Sequence, residues 1–405
     1  MKNINQKKFL QIKYWIYVIS ILLIIRTLLN EEHLFWDYNV VISGVQAFVD
    51  GGNAYGLDPH IFGFMYPPIV LIFFASINEF LAPFLLFIYL LSILLFCLFF
   101  RKEPKIFIYS ILISVALFEI RRQSILSAAL TGNIAFYLHL LIISLWLLRN
   151  NFNTKIALYS AIAIGTMFKL PIFAFYLLLP LLADARISVS RILPGLITMI
   201  VAILIIALQI VMFPELFSGF VSSLEFHEFG GSKVRLVGWS IIALGIYVSN
   251  SYVVAILVYI ITSLLIIAFW VYYKRRYLDK IENTDFVRPC ISIIPVVICI
   301  AIMPKLIIYD YAIMNFLLIY LLLKIKVFEI NYNFIFKSKI SFLGITAISI
   351  WTIQCILYYV RSIQSGEYVD EIFSLIIGVW FPIILVIIIA LVDRSKKIRL
   401  DTWPK

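Results

Sequence analysis

Apolar segments long enough to cross a lipid bilayer fill almost the whole of this chain. About 20 consecutive apolar residues span the hydrocarbon core of a membrane. Of the 405 residues, 63% are hydrophobic and 14% are charged, and the mean hydropathy is +1.04. Soluble domains are about half apolar and about a quarter charged. The sequence therefore predicts one integral membrane domain over residues 1–405, and it excludes a disordered chain.

The net charge of +11 is distributed in short basic runs between the apolar segments, as in cytoplasmic loops that follow the positive-inside rule. No basic stripe with interleaved aromatic residues occurs, so we expect no nucleic-acid partner. Placing the basic runs on one side predicts an all-α polytopic bundle of about twelve spans in the cell (inner) membrane, with both termini cytoplasmic. The predicted spans are residues 11–30, 83–100, 106–120, 131–148, 155–169, 171–184, 192–213, 251–273, 288–303, 310–323, 340–360 and 371–392.

Two apolar stretches, 67–80 and 236–247, are left out of these spans. Counting 67–80 as a span would move the basic run at 101–105 to the outer face, which the positive-inside rule disfavours. We therefore expect juxtamembrane or re-entrant helices at both places. The outer face then carries two large loops, 31–66 and 214–250. The first span is expected to be a retained anchor, because many further spans follow it and no small-residue cleavage site does.

Segments 155–169 and 171–184 are short for spans at 1.5 Å per residue. Merging them into one helix kinked at Pro171 would place Lys155 and Arg186 on opposite faces of the membrane. A hairpin with Lys169 at its apolar tip is therefore predicted. An unpaired ammonium group is costly there. The lysine either binds an anionic group or extends to the interface.

Asp37 follows the first span and lies between two aromatic residues, Trp36 and Tyr38. Residues 39–49 carry apolar side chains at helical spacing, which predicts a helix lying on the interface. One interpretation of Asp37 is a solvated loop acid. The alternative is a partly desolvated carboxylate at the outer end of a membrane helix, where a functional role is favoured.

Short motifs follow one another in a fixed order: Asp37-Tyr38, Gly52 with Tyr55, Phe64-Met65-Tyr66-Pro67-Pro68, Gly132-Asn133, Lys169-Leu170-Pro171, and Pro304-Lys305 with Tyr309-Asp310. Their order and spacing resemble glycosyltransferase family 87, whose members have the GT-C fold and use polyprenyl-phosphate sugars. The match runs over roughly the first 320 residues and is dense only through about residue 185.

The resemblance implies an inverting hexosyl- or pentosyltransferase that acts on the extracytoplasmic face. Its partners would be the lipid bilayer, a polyprenyl-phosphate sugar donor and a glycolipid or envelope-glycan acceptor. Asp37 matches the family's general base, so 31–66 would be the catalytic loop, and a single base suffices for inversion with phosphate as the leaving group. Tyr66, Asn133, Tyr309 and Asp310 fall in matching motifs as acceptor or supporting residues.

Cations are needed beside the leaving phosphate. The predicted topology places few cationic residues at the outer ends of spans. The candidates are Lys169, Arg121, Arg122 and Lys305. Each has a structural alternative: interfacial extension for Lys169, pairing with Glu119 or lipid for the arginines, and pairing with Asp310 for Lys305. His227, in the second loop, either assists proton transfer or holds a sugar hydroxyl, or has no special role.

We expect neither a cofactor nor a metal, because the outer-loop acids lack metal-binding spacing and the cysteines form no CxxC pair. His139, inside the fourth span, is expected to be a hydrogen-bonded residue of the bundle. Two other functions stay open. A lipid-linked glycan flippase or transporter would carry ionisable residues near the bilayer midplane. An envelope-glycan polymerase or ligase would use a larger late loop, as 214–250 with His227, Lys233 and Arg235 provides.

Overall fold

The computed structural model describes fourteen stretches of the chain: 18–25, 28, 34–56, 64–118, 125–149, 152–169, 172–184, 189–229, 241–242, 249, 251–276, 278–280, 284–304 and 308–324. Within these stretches every regular element is a helix and no strand occurs. The predicted spans 340–360 and 371–392 lie outside the described residues. The all-α class is thus observed for the described part of the chain.

Residues 18–25 are helical, and thirteen further α-helices with defined bounds follow in chain order: α1 Trp36–Val49, α2 Pro68–Ser76, α3 Asn78–Phe100, α4 Pro104–Phe118, α5 Ile125–Leu130, α6 Ile134–Leu147, α7 Phe152–Phe168, α8 Leu179–Asp184, α9 Val189–Met212, α10 Pro214–Phe229, α11 Tyr252–Arg276, α12 Thr284–Ala301 and α13 Ile308–Lys324. Two 3₁₀ helices cover Ile172–Leu178 and Leu278–Lys280. The residues divide into two compact units. The first comprises Met1–Leu181, Arg186–Ser232 and Ile307–Tyr320, and the second Leu182–Ala185, Lys233–Leu306 and Leu321–Lys405.

In the first unit, α6 is the central helix. It packs against α3 on one side and α7 on the other, and α7 in turn contacts α9 and the 3₁₀ helix Ile172–Leu178. Twelve of the fourteen residues of α6 are buried. A helix that is apolar around its whole circumference belongs in the interior of a bundle. Helix α13 contributes the buried ring of Phe316, which contacts Phe96 and Phe107 at 5.4 and 5.7 Å between centroids.

In the second unit, α11 ends with three consecutive basic residues that face different ways. Lys274 is buried and its Nζ lies 2.8 Å from Oδ1 of Asp279, whereas Arg275 and Arg276 are exposed. The indole N–H of Trp270 donates to the carbonyl of Leu182 at 2.9 Å. A basic last turn complements the negative end of the helix dipole.

Three described helices are long and apolar enough to cross a membrane: Asn78–Phe100, Leu193–Met212 and Tyr252–Arg276. Many of their large apolar side chains are exposed, including Phe87, Leu204 and Leu265. Such faces are suited to lipid, in which apolar side chains need no further cover. The chain therefore has the helices of a membrane protein.

Several predicted boundaries differ from the observed helices, and two of the differences have a clear physical reason. Helix α3 begins at Asn78 and not at residue 83, because Pro83 is accommodated within its first two turns. The second limb of the predicted hairpin, 171–184, is not one α-helix: residues Ile172–Leu178 form a 3₁₀ helix and only Leu179–Asp184 is α-helical. The 3₁₀ form rises about 2.0 Å per residue, so this limb is longer than an α-helix with the same number of residues.

Candidate functional site

The helix that carries Asp37 is fixed by main-chain hydrogen bonds to the turn between α5 and α6. The N–H of Phe35 donates to the carbonyl of Leu130 at 2.8 Å, and the N–H of Asp37 donates to the carbonyl of Thr131 at 3.0 Å. Phe35 has a φ of 55°, which is uncommon for a bulky residue and persists where neighbouring contacts impose it. Asp37 is half-buried in the first turn of α1. A carboxylate is favoured at that positive end of a helix dipole.

The turn that holds Asp37 depends on a glycine and an asparagine. Gly132 has a φ of +71°, and a Cβ added to it would lie 2.8 Å from Cβ of Tyr38. Asn133 is buried and caps α6: its Oδ1 accepts the N–H groups of Ala135 at 2.9 Å and Phe136 at 3.4 Å. The motif Gly132-Asn133 therefore has a structural role beside the first turn of α1. The supporting role that the resemblance implies for Asn133 stays a prediction.

Gly132→Ala is expected to destabilise the protein more than the same change at Gly51. Both glycines have positive φ, but a Cβ at Gly51 meets nothing within 4 Å. The left-handed backbone costs about 1–2 kcal/mol at either site, and overpacking against Tyr38 adds about 1–3 kcal/mol at Gly132 alone. Titration of the detergent-solubilised variants with a denaturing detergent measures the difference. Equal losses at both positions would show that Gly132 is not packed against Tyr38.

Four tyrosines surround this turn. The rings of Tyr89 and Tyr137 stack with centroids 3.9 Å apart, and Tyr38 meets Tyr89 edge-on at 6.0 Å. The hydroxyl of Tyr137 donates to the carbonyl of Ala129 at 2.6 Å. Tyr66, the fourth, is buried, and its carbonyl accepts the hydroxyl of Tyr55 at 2.9 Å.

Asp37 and Tyr66 act on each other electrostatically. Burial raises the pKa of Tyr66 well above its ordinary value, and the negative charge of Asp37 raises it further. Tyr66 is therefore neutral at physiological pH and does not serve as a base. Of these two residues, Asp37 is the one able to accept a proton.

Tyr66 also links this region to the hairpin that carries Lys169. Its ring lies 5.8 Å from that of Phe168, the last residue of α7, and Phe74 contacts the same phenylalanine at 5.9 Å. Lys169 is half-buried, and its N–H donates to the carbonyl of Gly165 at 2.9 Å. Phe168, next to Lys169, thus contacts Tyr66, and the charge of Asp37 acts on the pKa of that same tyrosine.

A second polar cluster lies deeper in the first unit. Nε2 of His139 is 2.8 Å from Oδ1 of Asp310, and Nδ1 of His139 is 2.6 Å from the hydroxyl of Tyr176. The exposed fractions of the three side chains are 1%, 2% and 0%. The expectation that His139 is a hydrogen-bonded bundle residue is confirmed. Its partner Asp310 was predicted only as an outer supporting residue or as a partner of Lys305.

The other predicted residues are described in part or not at all. Arg121, Arg122 and Lys305 lie outside the described residues. His227 lies in α10 and Tyr309 in α13, where only the backbone is described. In the stretches that the structure covers, no three His, Cys, Asp or Glu side chains form a group suited to a metal ion.

Comparisons with known proteins return no relative for this chain. No family model, no curated protein and no solved structure matches it. The function is therefore inferred from the residues and their arrangement.

Proposed function

We propose that this chain is an inverting, membrane-embedded glycosyltransferase. It moves a hexose or pentose from a polyprenyl-phosphate carrier to a glycolipid or envelope-glycan acceptor on the extracytoplasmic face. The observation that carries the proposal is the setting of Asp37: a half-buried carboxylate in the first turn of α1, tied by its own N–H to Thr131. The resemblance of the motifs to glycosyltransferase family 87 supports the same assignment.

Asp37 acts as the general base in this reaction. It accepts the proton of the acceptor hydroxyl as that oxygen bonds to the anomeric carbon of the sugar. The bond between the anomeric carbon and the phosphate oxygen breaks, and the carrier phosphate leaves with the electron pair. Attack opposite the leaving group inverts the configuration at that carbon. Tyr66 stays protonated and neutral beside the carboxylate.

The leaving carrier phosphate gains negative charge, and fixed cations stabilise it. Lys169 is the cation that we assign to this role: it follows Phe168, whose ring contacts Tyr66, and the charge of Asp37 acts on the pKa of Tyr66. In the proposed topology, about twelve spans place both termini in the cytoplasm and this hairpin tip on the outer face. The three long apolar helices support the membrane assignment.

Transfer from a panel of labelled polyprenyl-phosphate sugars to membrane lipids tests the proposal directly. The purified protein in liposomes should give a labelled lipid or glycan product with at least one donor, together with free polyprenyl phosphate in equal amount. Analysis of the anomeric linkage should show inversion relative to the donor. Absence of product with every donor and acceptor fraction, from protein that is folded, would refute it.

One observation favours a second candidate, a proton-coupled transporter of lipid-linked glycans. The His139–Asp310 pair is fully buried between two apolar helices, and ionisable residues in such places often form proton relays. A transporter would move an intact labelled lipid-linked sugar across the liposome membrane under a proton gradient. A transferase would cleave the phosphate bond without needing the gradient, so one liposome assay with both readouts separates the two functions.

A further inference from the structure

The buried cluster of His139, Asp310 and Tyr176 has no part in the chemistry proposed for Asp37. Burying an ionisable pair is costly, and the cost is offset only where partners are held in good geometry. Nδ1 of His139 has such a partner in the hydroxyl of Tyr176 at 2.6 Å, and Nε2 lies 2.8 Å from Oδ1 of Asp310 without the geometry of a hydrogen bond. In an apolar bundle, the free-energy cost of burying this pair points to a specific role for the segments that the cluster joins.

His139 joins three segments of the first unit. It lies on α6, six residues after the Asn133 cap, and Asp310 lies on α13. Tyr176 belongs to the 3₁₀ helix Ile172–Leu178, and Phe173 of the same helix packs on the imidazole ring at 4.5 Å. His139 thus holds the 3₁₀ helix by two side chains, while its other nitrogen is engaged by α13.

The 3₁₀ helix returns from the hairpin tip at Lys169 and lies tightly against α7. A Cβ added to Gly165 would meet Cγ of Phe173 at 2.8 Å. The hairpin is therefore fixed on both limbs: Phe168 packs against Tyr66 and Phe74, and Phe173 and Tyr176 are held by His139. What fixes the two limbs also fixes the residue between them.

We propose that His139 is a positioning residue, which holds Lys169 where the phosphate of the donor binds. This inference rests on the proposed transferase function. The hydrogen bond to the hydroxyl of Tyr176 and the ring of Phe173 orient the imidazole, the carboxylate of Asp310 lies beside its other nitrogen, and the oriented imidazole fixes the 3₁₀ helix. Misplacement of a group by about 1 Å can cost about a hundredfold in rate.

The substitution Tyr176→Phe removes the contact to Nδ1 with little change in volume. We expect kcat/KM for the donor to fall about tenfold to a hundredfold, while KM for the acceptor stays unchanged. Tyr320→Phe is the matched control: it removes a tyrosine hydroxyl on α13 that donates to Oε2 of Glu103 at 2.8 Å, away from His139. It should leave both parameters as in wild type.

The double variant Tyr176→Phe with Lys169→Gln separates positioning from a structural effect. If His139 acts through Lys169, the second substitution adds no further loss to that of Lys169→Gln. Losses that multiply would overturn the proposal.

A further readout needs no transferase activity. A small amine-reactive reagent modifies Lys169, and peptide mass spectrometry measures the extent of modification. The rate reports the exposure of Lys169 relative to the exposed Lys155 of α7. Tyr176→Phe should change the rate at Lys169 at least twofold and Tyr320→Phe should not. An equal rate in wild type and Tyr176→Phe would overturn the positioning role even if no donor is ever found.

Discussion

Asp37→Asn should lower sugar transfer by at least about a hundredfold, the scale expected when a general base is lost. The amide has nearly the same volume and keeps the main-chain bond from Asp37 to Thr131, so α1 should keep its place. It cannot accept the acceptor proton. The loss should therefore fall on kcat, with the apparent affinity for the donor changed little. Initial rates with saturating donor and acceptor measure it.

Asp50→Asn is the matched control for this substitution. Asp50 follows the last residue of the same helix, is exposed, and accepts a hydrogen bond from Nε2 of Gln46 at 2.8 Å. The substitution changes the charge by the same amount at the opposite end of α1. We expect wild-type rates from it. A transfer rate in Asp37→Asn within threefold of that in Asp50→Asn would contradict the role of Asp37 as the base. The half-buried Asp37 would then have a structural role only.

The positions of several described helices could be predicted from the sequence, because they depend on local features. Apolar length, Pro67-Pro68 at the start of α2, and the turn at Gly132-Asn133 mark boundaries close to those observed. The predicted interfacial helix over 39–49 lies within α1, which begins three residues earlier. The 3₁₀ form of Ile172–Leu178 was not predictable in this way, since its apolar sequence suits an α-helix equally well.

The candidate site could be predicted only residue by residue. Asp37 and Lys169 were selected because charges are expensive near apolar segments. The contacts around them involve main-chain groups of Leu130 and Thr131 beside Asp37 and the rings of Tyr66 and Phe168 beside Lys169, which leave no periodic signal. Composition gives no information about such contacts.

The pairing of His139 with Asp310 shows the same limit more clearly. Each residue is visible in the sequence as a polar group in an apolar segment, and each was interpreted separately. The pair joins α6 to α13, far apart in the chain, and the local pattern favoured Lys305 as the partner because it lies five residues from Asp310. Long-range pairs of this kind follow from packing of the helices, which hydropathy does not specify.

Lys169→Gln should give the second largest loss, about tenfold to a hundredfold in kcat, because a preorganised cation beside the leaving phosphate stabilises the charge that develops there. Glutamine keeps a polar side chain at the end of α7 and removes only the charge. Lys155→Gln on the same helix, where the lysine is exposed, is the matched control and should keep wild-type rates.

Inhibition by the product tests whether Lys169 acts on the phosphate. Loss of the ammonium group should weaken inhibition by free polyprenyl phosphate, the product that carries the full developed charge, in proportion to the loss in kcat. A lysine that serves only to hold the hairpin at the membrane surface would lower the rate without changing inhibition by the product. Unchanged product inhibition in Lys169→Gln would therefore assign Lys169 to the interface and remove it from the phosphate site.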